Sequence, residues 1–166
     1  MNDGLTGRSD DKSPADEPSP VRYLHPQEPA PRPHQYNELL SRLVGRPLQS
    51  VQFIGGFVQF GFGSAESTEI PILTCEVMPV AITPSGPVVD GDMGYADALR
   101  SLIGDDVVET TEAHGRGLGV EFRWGALALR PNAADLTGPL IAMLSDFHDG
   151  RAMSWRPGGE AFEYLR

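Results

Sequence analysis

The sequence predicts an α+β fold: two helix-plus-antiparallel-strand repeat units side by side, with a C-terminal helix packed on the sheet. Three observations carry that expectation. Glycine (19) and proline (15) are frequent among 166 residues, which favours turns and strands over long helices. Several short stretches alternate apolar and polar side chains with the period of two that a half-buried strand requires. A helix, a glycine stop and a hairpin recur at an offset of 59 residues, with Tyr95 falling on Tyr36, Leu99 on Leu40 and Gly104 on Gly45.

Residues 1–34 stand apart. They hold seven prolines from Pro14 to Pro33 together with Asp10, Asp11, Asp16 and Glu17, and few apolar side chains. So little buried surface does not offset a backbone ordering cost of roughly 1–2 kcal/mol per residue. A disordered, proline-rich acidic tail is expected there, and a single α+β domain over 36–166. In that domain Leu39, Leu40, Leu43 and Val44 share one helical face, and Gly45 stands at the left-handed C-cap position. Val51 and Phe53, then Val58, Phe60 and Phe62, alternate around a Gly55-Gly56 turn. Ile70–Val80 reads as a third extended run, interrupted by Pro71 and Pro79, and Thr83–Pro87 as a loop.

The pattern then begins again. Tyr95, Ala98, Leu99, Leu102 and Ile103 form a second helical face, with Asp92 as its expected N-cap and Gly104 as its stop. Val107–Thr111 and Leu118–Phe122 read as strands around a His114–Gly117 turn, and Ala126–Leu129 as a short strand. An internal duplication of 36–91 in 95–130 is therefore expected. Beyond it, Thr137 would cap a helix with Leu140, Ile141, Met143 and Leu144 on its apolar face. Met153 and Trp155 suggest a final strand, and Phe162, Tyr164 and Leu165 an apolar end.

Charge narrows the partners. The net charge is −10, from 23 acidic and 13 basic residues. Nucleic acid and anionic membrane both need clustered positive charge, so neither is an expected partner. Lys12 is the one lysine, which fits a GC-rich coding sequence better than a phosphate-binding design. No apolar run approaches the ~18 residues of a membrane span and no signal-type stretch opens the chain, so a cytoplasmic location is expected. A single cysteine leaves no internal disulfide.

Candidates for chemistry are thin. Cys75 falls on the strand face of Leu73 and Val77, the setting of a small buried hydrophobe. His114 belongs to a turn, and His148, between Asp146 and Asp149, suits a helix end better than a metal. Asp90-Gly91-Asp92 lacks the further oxygen ligands of a calcium loop, and the glycines near 55–63 lead into a strand rather than a phosphate-cradling helix. No catalytic, metal or cofactor residue is assigned. Six acidic and four basic residues precede Tyr36, leaving 17 and 9 in the domain. Asp105, Asp106, Glu109 and Glu112 are the candidate partner-contact residues, a surface for a basic protein if they share one face.

The order helix, Leu-Val/Ile-Gly, strand, glycine turn, Phe-rich strand and a closing Trp155-Arg156-Pro157-Gly158-Gly159 resembles small actinobacterial proteins known only as domains of unknown function. In size and acidity the chain is also similar to toxin-immunity proteins. That resemblance implies no catalytic residue. The expected function is a non-enzymatic protein-interaction module of immunity-like kind. The alternatives are a small-ligand-binding domain with a cleft between its two units, and an enzyme with an unrecognised site.

Overall fold

Residues 37–166 are described by a computed structural model, and strands account for most of their regular structure. The chain opens with helix α1 (Glu38–Ser41), where the Asn37 side chain accepts the Leu40 N–H at 2.9 Å as an N-cap. Leu39, Leu40 and Leu43 are buried beneath this turn, whereas Val44, expected on the same face, is 46 % exposed. Strands β1 (Leu48–Ile54), β2 (Phe57–Phe62), β3 (Ile72–Cys75), β4 (Val80–Thr83) and β5 (Gly86–Val88) follow. Helix α2 (Tyr95–Arg100) leads into β6 (Val107–Ala113), β7 (Gly117–Phe122), β8 (Ala126–Leu129), β9 (Ala142–Ser145) and β10 (Met153–Trp155). Two 3-10 turns, Ala133–Asp135 and Glu160–Leu165, complete the described residues.

The strands form two five-stranded sheets, ordered β1-β2-β3-β9-β10 and β5-β4-β8-β7-β6, with every neighbouring pair antiparallel. This is a sheet-dominated architecture with a few short helices, not one built mainly on helix-plus-strand units. The reason is local. Each helix is a few residues long: α1 stops at Ser41 and α2 at Arg100, and their C-caps are the right-handed Arg42 and Ser101, not the expected glycines. Gly45 at φ +85° and Gly104 at +91° instead close the turns that follow. The expected C-terminal helix is absent. Ala142–Ser145 is instead strand β9, hydrogen-bonded between β3 and β10. The Leu-Ile-Ala-Met-Leu run fits either period, and here pairing on both sides selects the extended form, burying Ala142 and Leu144 while Met143 faces out.

Two further expectations are corrected. Asp92 does not cap α2: Gly94 holds the N-cap position with φ +86°, while the Asp92 carboxylate accepts the Val89 N–H at 3.0 Å. His148 ends no helix, and it follows β9 on an exposed loop. The Thr83–Pro87 loop is the turn of the β4–β5 hairpin, with Gly86 and Pro87 paired to Thr83 and Ile82. The expected acidic tail at 1–34 lies outside the described residues.

Advancing β1–β5 by five places converts the pairing order of one sheet into that of the other. β1-β2-β3 takes β9-β10 as its neighbours, and β6-β7-β8 takes β4-β5. The details repeat too. β1 and β6 each carry a register irregularity one residue from their start, between Leu48 and Ser50 and between Val107 and Glu109. Gly45 donates to the Val107 carbonyl and Gly104 to the Leu48 carbonyl, both at 2.8 Å. Pro47 and Asp106 form an isolated bridge between the two sheets' edge regions, and the Phe62 and Phe122 rings stack at 6.4 Å and 11°. The correspondence thus runs past residue 130, where the sequence pattern stopped, to β9 and β10. The inner faces of both sheets, from Leu48, Phe60 and Leu144 to Val107, Val120 and Leu127, contribute to one core.

Candidate functional site

The four acids singled out from the sequence do not share a face. Asp105 and Asp106 close the turn after α2: the Asp105 carboxylate accepts the Trp124 N–H at 2.9 Å, and Asp106 lies 3.6 Å from the Arg123 guanidinium. On β6, Glu112 pairs with Leu118 and Thr110 with Val120. Since Leu118 and Val120 are buried, Glu112 points inward, where its carboxylate accepts the Asn37 side-chain amide at the start of α1. Glu109 pairs with Glu121 on the opposite, outer face. Glu112 is therefore a fastening between α1 and the sheet edge, while Glu109 belongs to a surface with Glu121.

That surface is the outer face of the second sheet. Cross-strand partners run from Ile82 through Ala126 and Glu121 to Glu109, a small apolar floor ending in two directly opposed carboxylates. Among the described residues neither glutamate takes part in an ion pair, and like charges placed opposite each other repel. Trp124, 73 % exposed, stands in the turn leading from β7 to β8. The outer face of the first sheet is different. Its cross-strand row is Gln52, Gln59, Thr74, Met143 and Ser154, and Gln59 donates to the Thr74 hydroxyl at 3.1 Å. Strand parity in the sequence already placed Glu121 outside between Val120 and Phe122. Its position opposite Glu109 needed the hairpin register.

A groove of about 760 Å³ lies where the chain crosses between sheets. Phe53 and Gly55-Gly56 come from the β1–β2 hairpin, Glu76–Met78 from the β3–β4 crossover, and Arg130–Asn132 from the β8–β9 crossover. Asp90 joins it to a shallower recess beside α2 lined by Asp92, Tyr95 and Asp97. Phe53 meets Tyr95 edge-on at 6.5 Å, and the Tyr95 hydroxyl donates to the Pro79 carbonyl. Burial raises the Tyr95 pKa, with the Asp90 charge adding to it. Phe53, at 47 % exposure, was read from the sequence as a strand position, and its role in a groove had no sequence signal.

The remaining candidates are structural. The buried Cys75 thiol is pushed up to about 12 by desolvation, so it stays protonated at neutral pH and is a poor nucleophile. His114 faces the carboxylate of Glu163, with Glu160 at 3.9 Å, and so links its turn to the C-terminal segment. Glu69, not noted from the sequence, gathers the Arg46 guanidinium and the His148 N–H, and these hold its pKa below the ordinary carboxylate value. Asp149 accepts the Arg42 guanidinium at 2.8 Å and is lowered in the same way. Among the described residues no group of three or more His, Cys, Asp and Glu is placed to hold a metal ion, and no helix is long and apolar enough to cross a membrane. No family model, curated protein or solved structure matches the chain.

Proposed function

We propose that this chain is a non-enzymatic protein-interaction module of immunity-like kind, built on an internal duplication, which engages a basic protein through the outer face of its second sheet. The observation that carries the reading is Glu109 opposite Glu121 at the end of a small apolar floor. Two adjacent unneutralised carboxylates repel each other, and an arriving cation relieves that repulsion while desolvating little. Exposed Trp124 supplies the large rigid ring that anchors interfaces. The matched sheet orders and the reciprocal Gly45 and Gly104 hydrogen bonds support the duplication. Duplicates free to diverge explain why one outer face is polar and the other apolar with an acidic edge.

The test is photo-crosslinking in the producing cells, with a benzophenone amino acid at Trp124 or, as control, at Gln52 on the other sheet. Position 124 is expected to capture a discrete basic protein that position 52 does not. Adding Glu109→Lys and Glu121→Lys should reduce the adduct by about tenfold or more. Identical adducts from both positions, or none from 124, would sink the interaction reading.

A further inference from the structure

Among the described residues, the groove at the crossovers is the open counterpart of a seat that the chain fills in its second half. There the C-terminal segment Glu160–Leu165, two 3-10 pieces joined at a non-helical Phe162 (φ −120°, ψ 31°), spans the β6–β7 hairpin tip and the start of the β8–β9 crossover. The Gly115 N–H donates to the Glu160 carbonyl at 2.9 Å, and the Tyr164 hydroxyl donates to the Pro131 carbonyl at 2.9 Å. Between those two ends Phe162 is fully buried, its ring 3.3 Å from the position a Cβ on Gly117 would take. The register converts each point into its first-half equivalent. Val58 opposite Cys75 corresponds to Leu118 opposite Leu129, so Glu76 takes the place of Arg130 and Val77 that of Pro131. The Gly55-Gly56 turn takes the place of His114-Gly115-Arg116. Those first-half residues are the ones that line the groove, with Phe53 at its side.

The charges are inverted between the two seats. The filled seat presents Arg130, 5.5 Å from the Tyr164 ring, and His114 to a segment carrying Glu160 and Glu163. The open one presents Glu76 at the Arg130 position, with Asp90 and Asp135 on its rim. Arg130 reaches the groove's far wall but is engaged over Tyr164. We propose that the groove receives a short kinked 3-10 segment of a partner protein, with an aromatic ring at the kink and basic residues flanking it. The ring would occupy the apolar ground between Phe53, Val77 and Val89, and the cations would meet Glu76 and Asp90. This rests on the equivalence of the two halves, but uses a surface distinct from the Glu109–Glu121 face.

The test is an NMR titration of the full-length ¹⁵N-labelled chain with three blocked hexapeptides. These are Lys-Ala-Phe-Lys-Tyr-Leu, its acidic parent Glu-Ala-Phe-Glu-Tyr-Leu, and the ring-free Lys-Ala-Ala-Lys-Ala-Leu. The first is expected to shift the Gly55, Gly56 and Val77 amides saturably and to bind at least about tenfold more tightly than either other peptide. Glu76→Lys should reverse the preference between the basic and acidic peptides, and Phe53→Ala should weaken the first without reversing it. Equal affinity of the three peptides, saturation confined to the Glu109–Glu121 face, or no saturable shift at the groove amides would overturn the proposal. Those outcomes leave the crosslinks from position 124 unaffected, so the two readings fail separately.

Discussion

At the scale of single residues, the two tryptophans separate core from surface. Trp124 is exposed, whereas Trp155 is buried on β10 and its indole Nε1 has no hydrogen-bond partner among the described residues. An orphaned buried N–H costs roughly 1–3 kcal/mol. Trp155→Phe removes it while keeping most of the ring, so the lost packing and the relieved donor offset each other. Urea denaturation should show a stability change of under about 1 kcal/mol for Trp155→Phe, against about 3–5 kcal/mol lost for Trp155→Ala. Equal losses would mean that the indole donor is satisfied in solution. Residue chemistry also accounts for what the sequence could and could not assign. Cys75 lay on an alternating strand, so its burial was legible. Glu112 lay on a strand as well, yet which way it faced depended on the irregularity after Val107, an extra residue that reverses parity.

At the scale of elements, the glycines that close the turns after α1 and α2 also tie the two sheets together. Gly45 and Gly104 each adopt left-handed geometry, and each N–H bonds the first residue of the other half's leading strand. Space is open around both positions. The cost of a β-branched residue there is thus conformational, about 1–2 kcal/mol, with no clash added. Gly45→Val and Gly104→Val should lower the thermal midpoint by similar amounts, read by circular dichroism, and a variant melting with the parent would show that its left-handed turn contributes nothing to stability. The left-handed geometry of these glycines was legible, but not their place: the C-caps are Arg42 and Ser101, and a further turn separates each helix from its glycine. The 137–145 segment was not legible, because an unbroken apolar run contains no period that separates a helix from a central strand.

At the scale of the whole molecule, each sheet is completed by a hairpin from the other half, so neither half closes its own sheet. Glu69 and Asp149 fasten the α1 region to the loop after β9, and both carboxylates have folded pKa values below their ordinary ones. A lowered folded pKa gives stability that is full above the unfolded carboxylate value and disappears as pH falls through the folded one. The thermal midpoint should therefore drop between about pH 5 and pH 3. Glu69→Gln should start lower at neutral pH and fall less steeply, and parallel curves would show that Glu69 contributes nothing to the acid response. The sequence by itself determined the alternating strands, the glycine turns, the buried Cys75 and the 59-residue recurrence, because these depend on neighbours a few positions apart. Tertiary structure alone decided that β4-β5 and β9-β10 exchange sheets, that Glu109 meets Glu121, and that a groove opens where the crossovers run. Those outcomes depend on which edges pair across the chain, and edge pairing is set by long-range burial and hydrogen-bond satisfaction that no local period records.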